Sequence, residues 1–381
     1  METTWARFRG PNGTGIGEAK DLTPEKPRWK TALPGEGHSS PVVWEDRLFL
    51  TSAERDIRHL HGLDTRTGKL LWTKSFPFKS YHTHQFNTFA SATCALDKER
   101  VFSVWPSDDA FVVAAHTQDG KELWKRDFGA FPTQHGGGAS PIVHEGLLYV
   151  PREPEQAEGS LLALDVKTGT TRWEVKRASK DAPYGAPLLY KPEKGPLQLV
   201  IASTAQGVTS YEPATGKLLW QQANLFRMRC VSSPIQMGRK IVVGTGVGGG
   251  DRLLMALDLD AEARTPTVAW QLKRGAPYVP TALYADSLLY LWNDSGILTC
   301  ANPENGETIW SERAGGDFFG SPVLAGGRLW ATSARGELVS APAGRNFGSF
   351  QRVSLGEPSH ATPAVAGGRL FVRTLRQVFC L

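Results

Sequence analysis

The chain has 381 residues, 40% hydrophobic and 21% charged, and its net charge of +5 is spread over mixed Lys, Arg, Asp and Glu with no basic block. That composition is globular, and it gives no support to a disordered chain, a fibrous repeat or nucleic-acid binding. No apolar run approaches the roughly 18 residues needed to span a membrane, and 40 glycines with 25 prolines imply many tight turns.

The chain opens on METTWARFRG, which has neither a basic n-region nor an apolar h-region. On these letters the protein is either cytoplasmic or already stripped of a signal. Residues 1–26 read as a leader packed on the domain that follows. Within it, Pro11–Gly17 reads as a turn in which only Asn12 and Thr14 have chemical interest.

From residue 27 onward one grammar recurs. The segments LDTRTGKLLW (Trp72), AHTQDGKELW (Trp124), LDVKTGTTRW (Trp173), YEPATGKLLW (Trp220), LDLDAEARTPTVAW (Trp270, with an insertion) and ANPENGETIW (Trp310) each end on tryptophan. Their spacings of 52, 49, 47, 50 and 40 residues match propeller blades. LVSAPAGRNFGSF is a degenerate seventh unit with Phe350 in the tryptophan's place.

Before each tryptophan strand comes a small-Pro start (SSPVV, ASPIV, SSPIQ, GSPVL, ATPAV), an apolar strand, a short turn, a second strand, and a third of LLALD type. Short alternating strands joined by Gly-rich turns are hairpins, and four antiparallel strands make one blade. Asp64 and Asp165 are placed to bond backbone N–H groups two residues on. Gly68, Gly120, Gly169, Gly216 and Gly306 are placed to supply the positive φ of the turn. The aromatics Trp29, Trp72, Trp124, Trp173, Trp220, Trp270, Trp310 and Phe350 are expected to dock blade on blade. Burying one tryptophan removes up to about 250 Å² from water, roughly 6 kcal/mol before entropy is subtracted.

The last unit, from His360 to Leu381, supplies three strands and stops. The missing fourth lies at the other end of the chain, where WKTALP (Trp29–Pro34) parallels WTKSFP (Trp72–Pro77). The predicted fold is all-β: an eight-bladed β-propeller of four-stranded antiparallel blades over residues 27–381, closed by an N-terminal strand that completes the last blade. Seven blades is the alternative count.

These motifs resemble the PQQ-like, or quinoprotein-type, propeller repeat, marked by ALDxxTGxxxW segments, over about residues 27–381. WARFRGPNGTG also resembles the leader seen before such propellers in secreted bacterial proteins. The resemblance implies a periplasmic or secreted protein whose signal has been removed. It implies one of two functions. The first is a non-catalytic scaffold, in the style of the propeller lipoprotein of outer-membrane protein assembly, with no cofactor. The second is a PQQ-dependent alcohol or sugar dehydrogenase with calcium. The dehydrogenase pattern is not matched: no two cysteines are adjacent, and no calcium-binding or catalytic acid set can be placed by motif. The favoured reading is therefore a monomeric, non-enzymatic binding propeller. Its partner would be a protein, peptide or glycan, with no nucleic acid and no membrane span.

A site is expected where the fourth strand of one blade connects to the first of the next. Those connections carry His38, His82, His84, His135, Tyr184, Arg227, Arg229, Tyr278, Phe319 and His360. His38, Tyr184, Tyr278, Phe319 and His360 share one register, just before the small-Pro start, so a closed ring should bring them to the channel mouth. The tips between second and third strands, with Glu153, Glu155, Arg252 and Asp294 among them, are expected to form a mixed-charge rim. A concave site of this kind suits a peptide or small molecule. Solvated histidines around an aromatic plug are the bland reading. Three imidazoles, His82, His84 and His135, are a weaker metal alternative.

GTGVGGGDR (Gly244–Arg252) lacks the Gly-Lys-Ser/Thr ending of a phosphate loop and reads as a tip between two strands. Cys300 and Cys380 take the small buried position of Ala163 and read as packing residues, too far apart for a disulfide.

Overall fold

In the computed structural model, residues 3–20, 22–259 and 265–381 are described. Eight antiparallel sheets follow one another along the chain. Blade 1 comprises Val42–Trp44, Arg47–Ala53, Ile57–Asp64 and Leu70–Pro77. Blades 2 to 7 repeat that order over residues 95–127, 142–178, 188–222, 235–272, 283–313 and 323–354. Blade 8 takes Ala364–Ala366, Arg369–Arg373 and Gln377–Cys380, and its fourth strand is Trp29–Ala32, which runs antiparallel to Gln377–Cys380 with Trp29 opposite Cys380. The protein is therefore an all-β, eight-bladed propeller closed by its N-terminal strand. The insertion of the Trp270 unit, residues 260–264, lies outside the described residues.

First strands of neighbouring blades touch one another and line the axis, while fourth strands face outward with alternating exposure. The core lies at the seams. One cluster joins blades 1 and 2, another blades 2 and 3, and others blades 3 and 4, 4 and 5, 5 and 6, and 6 and 7. The largest ties blades 7, 8 and 1 together around Trp5, Trp330 and Phe371.

The repeated turn builds each seam. Asp64 Oδ1 accepts from the backbone N–H groups of Arg66 (2.9 Å) and Thr67 (2.8 Å) and from the Thr67 hydroxyl (2.9 Å), and Asp165 repeats the pattern with Lys167 and Thr168. Partial burial opposes ionisation of Asp64, but the bonds from Thr67 and Arg66 outweigh it and hold the carboxyl below its ordinary range. The glycine that closes this turn is required twice. Gly169 has φ +68°, and a Cβ there would lie 2.6 Å from the Trp124 ring of the preceding blade. The same close approach pairs Gly68 with Trp29, Gly120 with Trp72, Gly216 with Trp173 and Gly306 with Trp270.

The indole N–H groups cross the same seams. Trp29 donates to Thr65 O, Trp72 to Gln118 O, Trp124 to Val166 O, Trp173 to Pro213 O, Trp270 to Pro303 O and Trp310 to Gly344 O, all at 2.9–3.0 Å. Trp220 instead donates to Gln198 Oε1 of its own blade at 2.7 Å. The matching turn of blade 5 is where the insertion falls. Phe350 does not behave as a degenerate tryptophan. Its ring contacts Phe347 and Trp292, back toward blade 6, and the register places Gln351, not Phe350, opposite Ser340 where the other blades have tryptophan. The four cysteines are free and buried, and Cys300 and Cys380 sit opposite Trp310 and Trp29 as packing residues.

Near the axis the seams are closed by hydroxyls. The backbone N–H of Ser40 donates to Thr93 Oγ1 (2.9 Å) and that of Thr93 to Ser140 Oγ (3.0 Å). Ala186 N–H donates to Ser233 Oγ (2.9 Å), Ser233 to Thr281 (3.0 Å), Thr281 to Ser321 (2.9 Å), Ser321 to Thr362 (2.9 Å) and Thr362 back to Ser40 (3.1 Å). The small residue beside a proline, or Thr93 beside Cys94 in blade 2, thus takes one position of a belt around the channel.

The leader lies across one end of that channel. Thr4–Trp5 adds a short strand to blade 1, and Ile16 and Ala19 form parallel bridges with Leu324 of blade 7 and Gly368 of the turn in blade 8. Asn12 and Leu189 of blade 4 bond each other in both directions. Arg9, fully buried, donates to Thr281 O (2.9 Å) and Ala282 O (3.0 Å), and Arg7 donates to Pro187 O (2.6 Å). Burial pulls both guanidinium groups down to about 9.

Two substitutions test this account. Gly169→Ala should cost roughly 2–5 kcal/mol, the sum of a left-handed backbone and an overpacked ring. Thr362→Val keeps the shape but strips the acceptor from the Ser321 N–H, and should cost about 1–3 kcal/mol. Both are read by chemical denaturation, and losses within error of zero would contradict the seam and the belt respectively.

Candidate functional site at the channel mouth

A cavity of about 660 Å³ occupies the axis on the loop side of the belt. Ser40, Thr93, Ser140, Thr281, Ser321 and Thr362 of the belt line it, and Phe8 of the leader reaches it from the closed end. His38, His84, His135, Tyr184, Arg229, Tyr278, Phe319 and His360 also line it. His82 and Arg227 are exposed and lie outside its lining. The five residues of common register are all brought together here.

One half of the mouth is aromatic. His38 stacks on His360 with centroids 4.3 Å apart, and Phe319 meets His360 edge-on at 4.7 Å. The loop after blade 1, residues 78–94, arches over this group. Its Phe86 stacks on Phe319 at 4.8 Å, and Phe86 O lies 3.2 Å from His360 Nδ1. Phe86 remains 47% exposed, so a bare aromatic face is presented at the opening. The same loop is anchored to the blade 2–3 connection, where His84 N–H donates to His135 O (3.2 Å) and Asn87 Nδ2 to the same oxygen (2.7 Å).

The other half is polar and internally paired. Arg229 Nη1 donates to Glu155 Oε1 and to Ala182 O, with Asp181 3.9 Å from its other terminal nitrogen. The Tyr184 hydroxyl donates to Gly136 O (2.8 Å). Asp294 accepts from the Tyr278 N–H (2.8 Å) and the Val279 N–H (3.0 Å), with Arg252 3.5 Å away. Gly248 and Gly249, in the tip between the second and third strands of blade 5, complete this side. Glu153 does not join the rim: it turns inward to pair with the fully buried Arg177 at 2.7 Å.

Burial holds His38 well below the ordinary imidazole range, helped by His360 and Arg373. His360 is lowered by burial against the opposing pull of Phe86 O. Burial also lowers His135, with Arg229 adding to the effect. Tyr278 is pushed up to about 12, first by burial, so it is a neutral hydroxyl here.

Sequence reasoning missed Phe86, Phe8 and the belt. The length of the 78–94 loop was the available signal for Phe86. The serine or threonine recurring beside proline was the signal for the belt. Nothing in the leader singled out Phe8.

Among the described residues, no group of three or more His, Cys, Asp or Glu is placed to hold a metal ion. His84 and His135 are adjacent, with centroids 4.9 Å apart, but exposed His82 is not one of the cavity's lining residues. A calcium-bound quinone is also a poor fit to the donors present. Calcium takes six to eight oxygens, whereas Asp294 is spent on two N–H groups and Arg252, and Glu155 on Arg229 and the Gln134 N–H, which leaves Asp317 as the remaining carboxylate of the lining.

The fold and its seams define a PQQ-like eight-bladed propeller. The sequence matches the family of the outer membrane protein assembly factor BamB over residues 19–77, 59–223 and 196–374, and the chain belongs to that family. It is 26% identical over 334 residues to a polyvinylalcohol dehydrogenase of Pseudomonas sp, covering 81% of this chain and 50% of that one. It is also 26% identical over 224 residues to BamB of Alteromonas naphthalenivorans, covering 54% and 51%. The chain thus spans about half the length of these curated relatives. The crystal structure of BamB from Moraxella catarrhalis superposes with a TM-score of 0.67 over 93% of this chain and 96% of that one, at 13% identity, a likeness of fold alone.

The depressed imidazoles set a pH dependence. Their native pKa lies below the unfolded value, so the unfolded chain binds protons first as pH falls. Stability from this source is complete above about pH 6.5 and is lost below it, down toward about 3 for His61. The melting temperature should fall between pH 7 and pH 4, and less steeply in His38→Gln. Calorimetry checks this, and parallel curves for the two proteins would refute the assignment to His38.

Proposed function

We propose that this chain is a non-catalytic binding propeller that engages a protein partner, through an extended peptide segment, at the loop-side mouth of its channel. The observation that carries the reading is the half-exposed Phe86–Phe319–His360 ledge beside a rim in which Arg229, Arg252, Glu155 and Asp294 are already paired. Such a surface offers apolar contact and hydrogen bonds, with Asp317 the one exposed carboxylate of the lining. Membership of the BamB family supports a role in assembling outer-membrane proteins, and with it a location outside the cytoplasm, in the periplasm or secreted. Among the described residues, no helix is long and apolar enough to cross a membrane.

The second reading is a PQQ-dependent oxidoreductase with calcium, favoured by the similarity to polyvinylalcohol dehydrogenase. Asp294, already bonded to protein groups, counts against it, and Asp317 is the remaining carboxylate of the lining.

The test is a titration with an N-acetylated, C-amidated hexapeptide alternating phenylalanine and serine. Phe86→Ala and Phe319→Ala should each weaken binding by about tenfold, the scale set by the apolar area that one aromatic ring buries. Added PQQ and Ca²⁺ should leave the absorbance, melting temperature and dye-linked turnover unchanged. Turnover on reconstitution would replace the binding reading with the enzymatic one.

A further inference from the structure

The hydroxyl belt has eight positions and seven closed links. In the seam between blades 3 and 4 the acceptor position is Ala186, which has no hydroxyl. The Ser140 N–H, equivalent to the seven that are capped, has no hydrogen-bond partner among the described residues, although Ser140 Oγ still accepts from Thr93. Ser140 is 4% exposed and lines the cavity. A buried donor without an acceptor is costly and rare in native structures.

The surroundings restrict what could meet that donor. The neighbouring donors are already used: the Tyr184 hydroxyl on Gly136 O, and Arg229 Nη1 on Glu155 and Ala182 O. Glu155 and Asp181 stand beside Arg229, so the local charge is not positive and an anionic acceptor gains little. A neutral carbonyl oxygen suits the position. The channel is also closed at its far end by the leader, with Phe8 at the floor, so a chain can enter only from the loop side and cannot thread through.

We propose that the open link is a binding position, in which the Ser140 N–H donates to an amide carbonyl of a peptide lying in the channel mouth. The peptide's apolar side chains then meet the Phe86–Phe319 ledge across the cavity. This rests on the reading of the mouth as a peptide site and names the main-chain contact within it.

The test uses the intact chain and the same capped hexapeptide. Ala186→Ser supplies the missing hydroxyl and closes the eighth link, so it should weaken peptide binding by about tenfold while leaving the melting temperature equal or higher. A folded Ala186→Ser protein that binds as tightly as the parent overturns the proposal and leaves the ledge reading standing. Independently of that variant, the Ser140 amide resonance in the ¹H–¹⁵N spectrum of the parent should move on peptide addition. A saturated complex in which it stays in place overturns the proposal as well. Failure of the parent protein to bind the peptide removes both this hydrogen bond and the peptide reading on which it rests.

Discussion

A four-stranded blade is apolar on both faces, and no blade can hide both by itself. Each must be covered by its neighbours, and the ring must close. In this chain the cover is fastened at the turn before the fourth strand. There an indole from one blade lies on a glycine of the next and donates to a carbonyl beside it. Two separate requirements, left-handed backbone and space for a ring, coincide on that one glycine. The consequence is a core divided among the seams, and an axial cavity ringed by the hydroxyl belt.

The same constraint explains what could be read from the letters. Tryptophan and glycine recur because every seam needs them, so the repeat, the blade count and the strand lent by Trp29 were legible. Register carried the five channel residues His38, Tyr184, Tyr278, Phe319 and His360, since equivalent positions in a ring face one axis. Other features depend on contacts with no local trace. Arg9 reaches Thr281, 272 residues away. The residue beside each proline looked merely small, whereas its hydroxyl is what the belt uses. Phe350 occupies the place of a tryptophan in the alignment but contacts Trp292, because the strand register puts Gln351 in the tryptophan's position. Glu153 read as a rim acid and is instead the buried partner of Arg177.

The mouth is divided in a way that the fold makes natural. Blades 7, 8, 1 and 2 contribute rings, several of them brought together by the single long loop after blade 1. Blades 3 to 6 contribute charges, of which Arg229, Glu155, Arg252 and Asp294 are paired before any ligand arrives. Function in such a scaffold resides where the units depart from the repeat: a longer loop, an alanine in place of a serine, and an aromatic just ahead of a proline.

The clasp between Trp29–Ala32 and Gln377–Cys380 joins the two ends of the chain. It also imposes an order of events. The clasp strand Trp29–Ala32 precedes blade 1 in the sequence, yet its partner Gln377–Cys380 lies in blade 8, after every other blade. A growing chain therefore holds an open stack of blades with two raw edges until the strands of blade 8 emerge. Closing the ring requires pairing across almost the whole sequence, the kind of step that slows folding and prolongs exposure of strand edges. The closed ring gains resistance to fraying on both sides of the clasp together, because neither Trp29–Ala32 nor Gln377–Cys380 can peel away without opening the same blade.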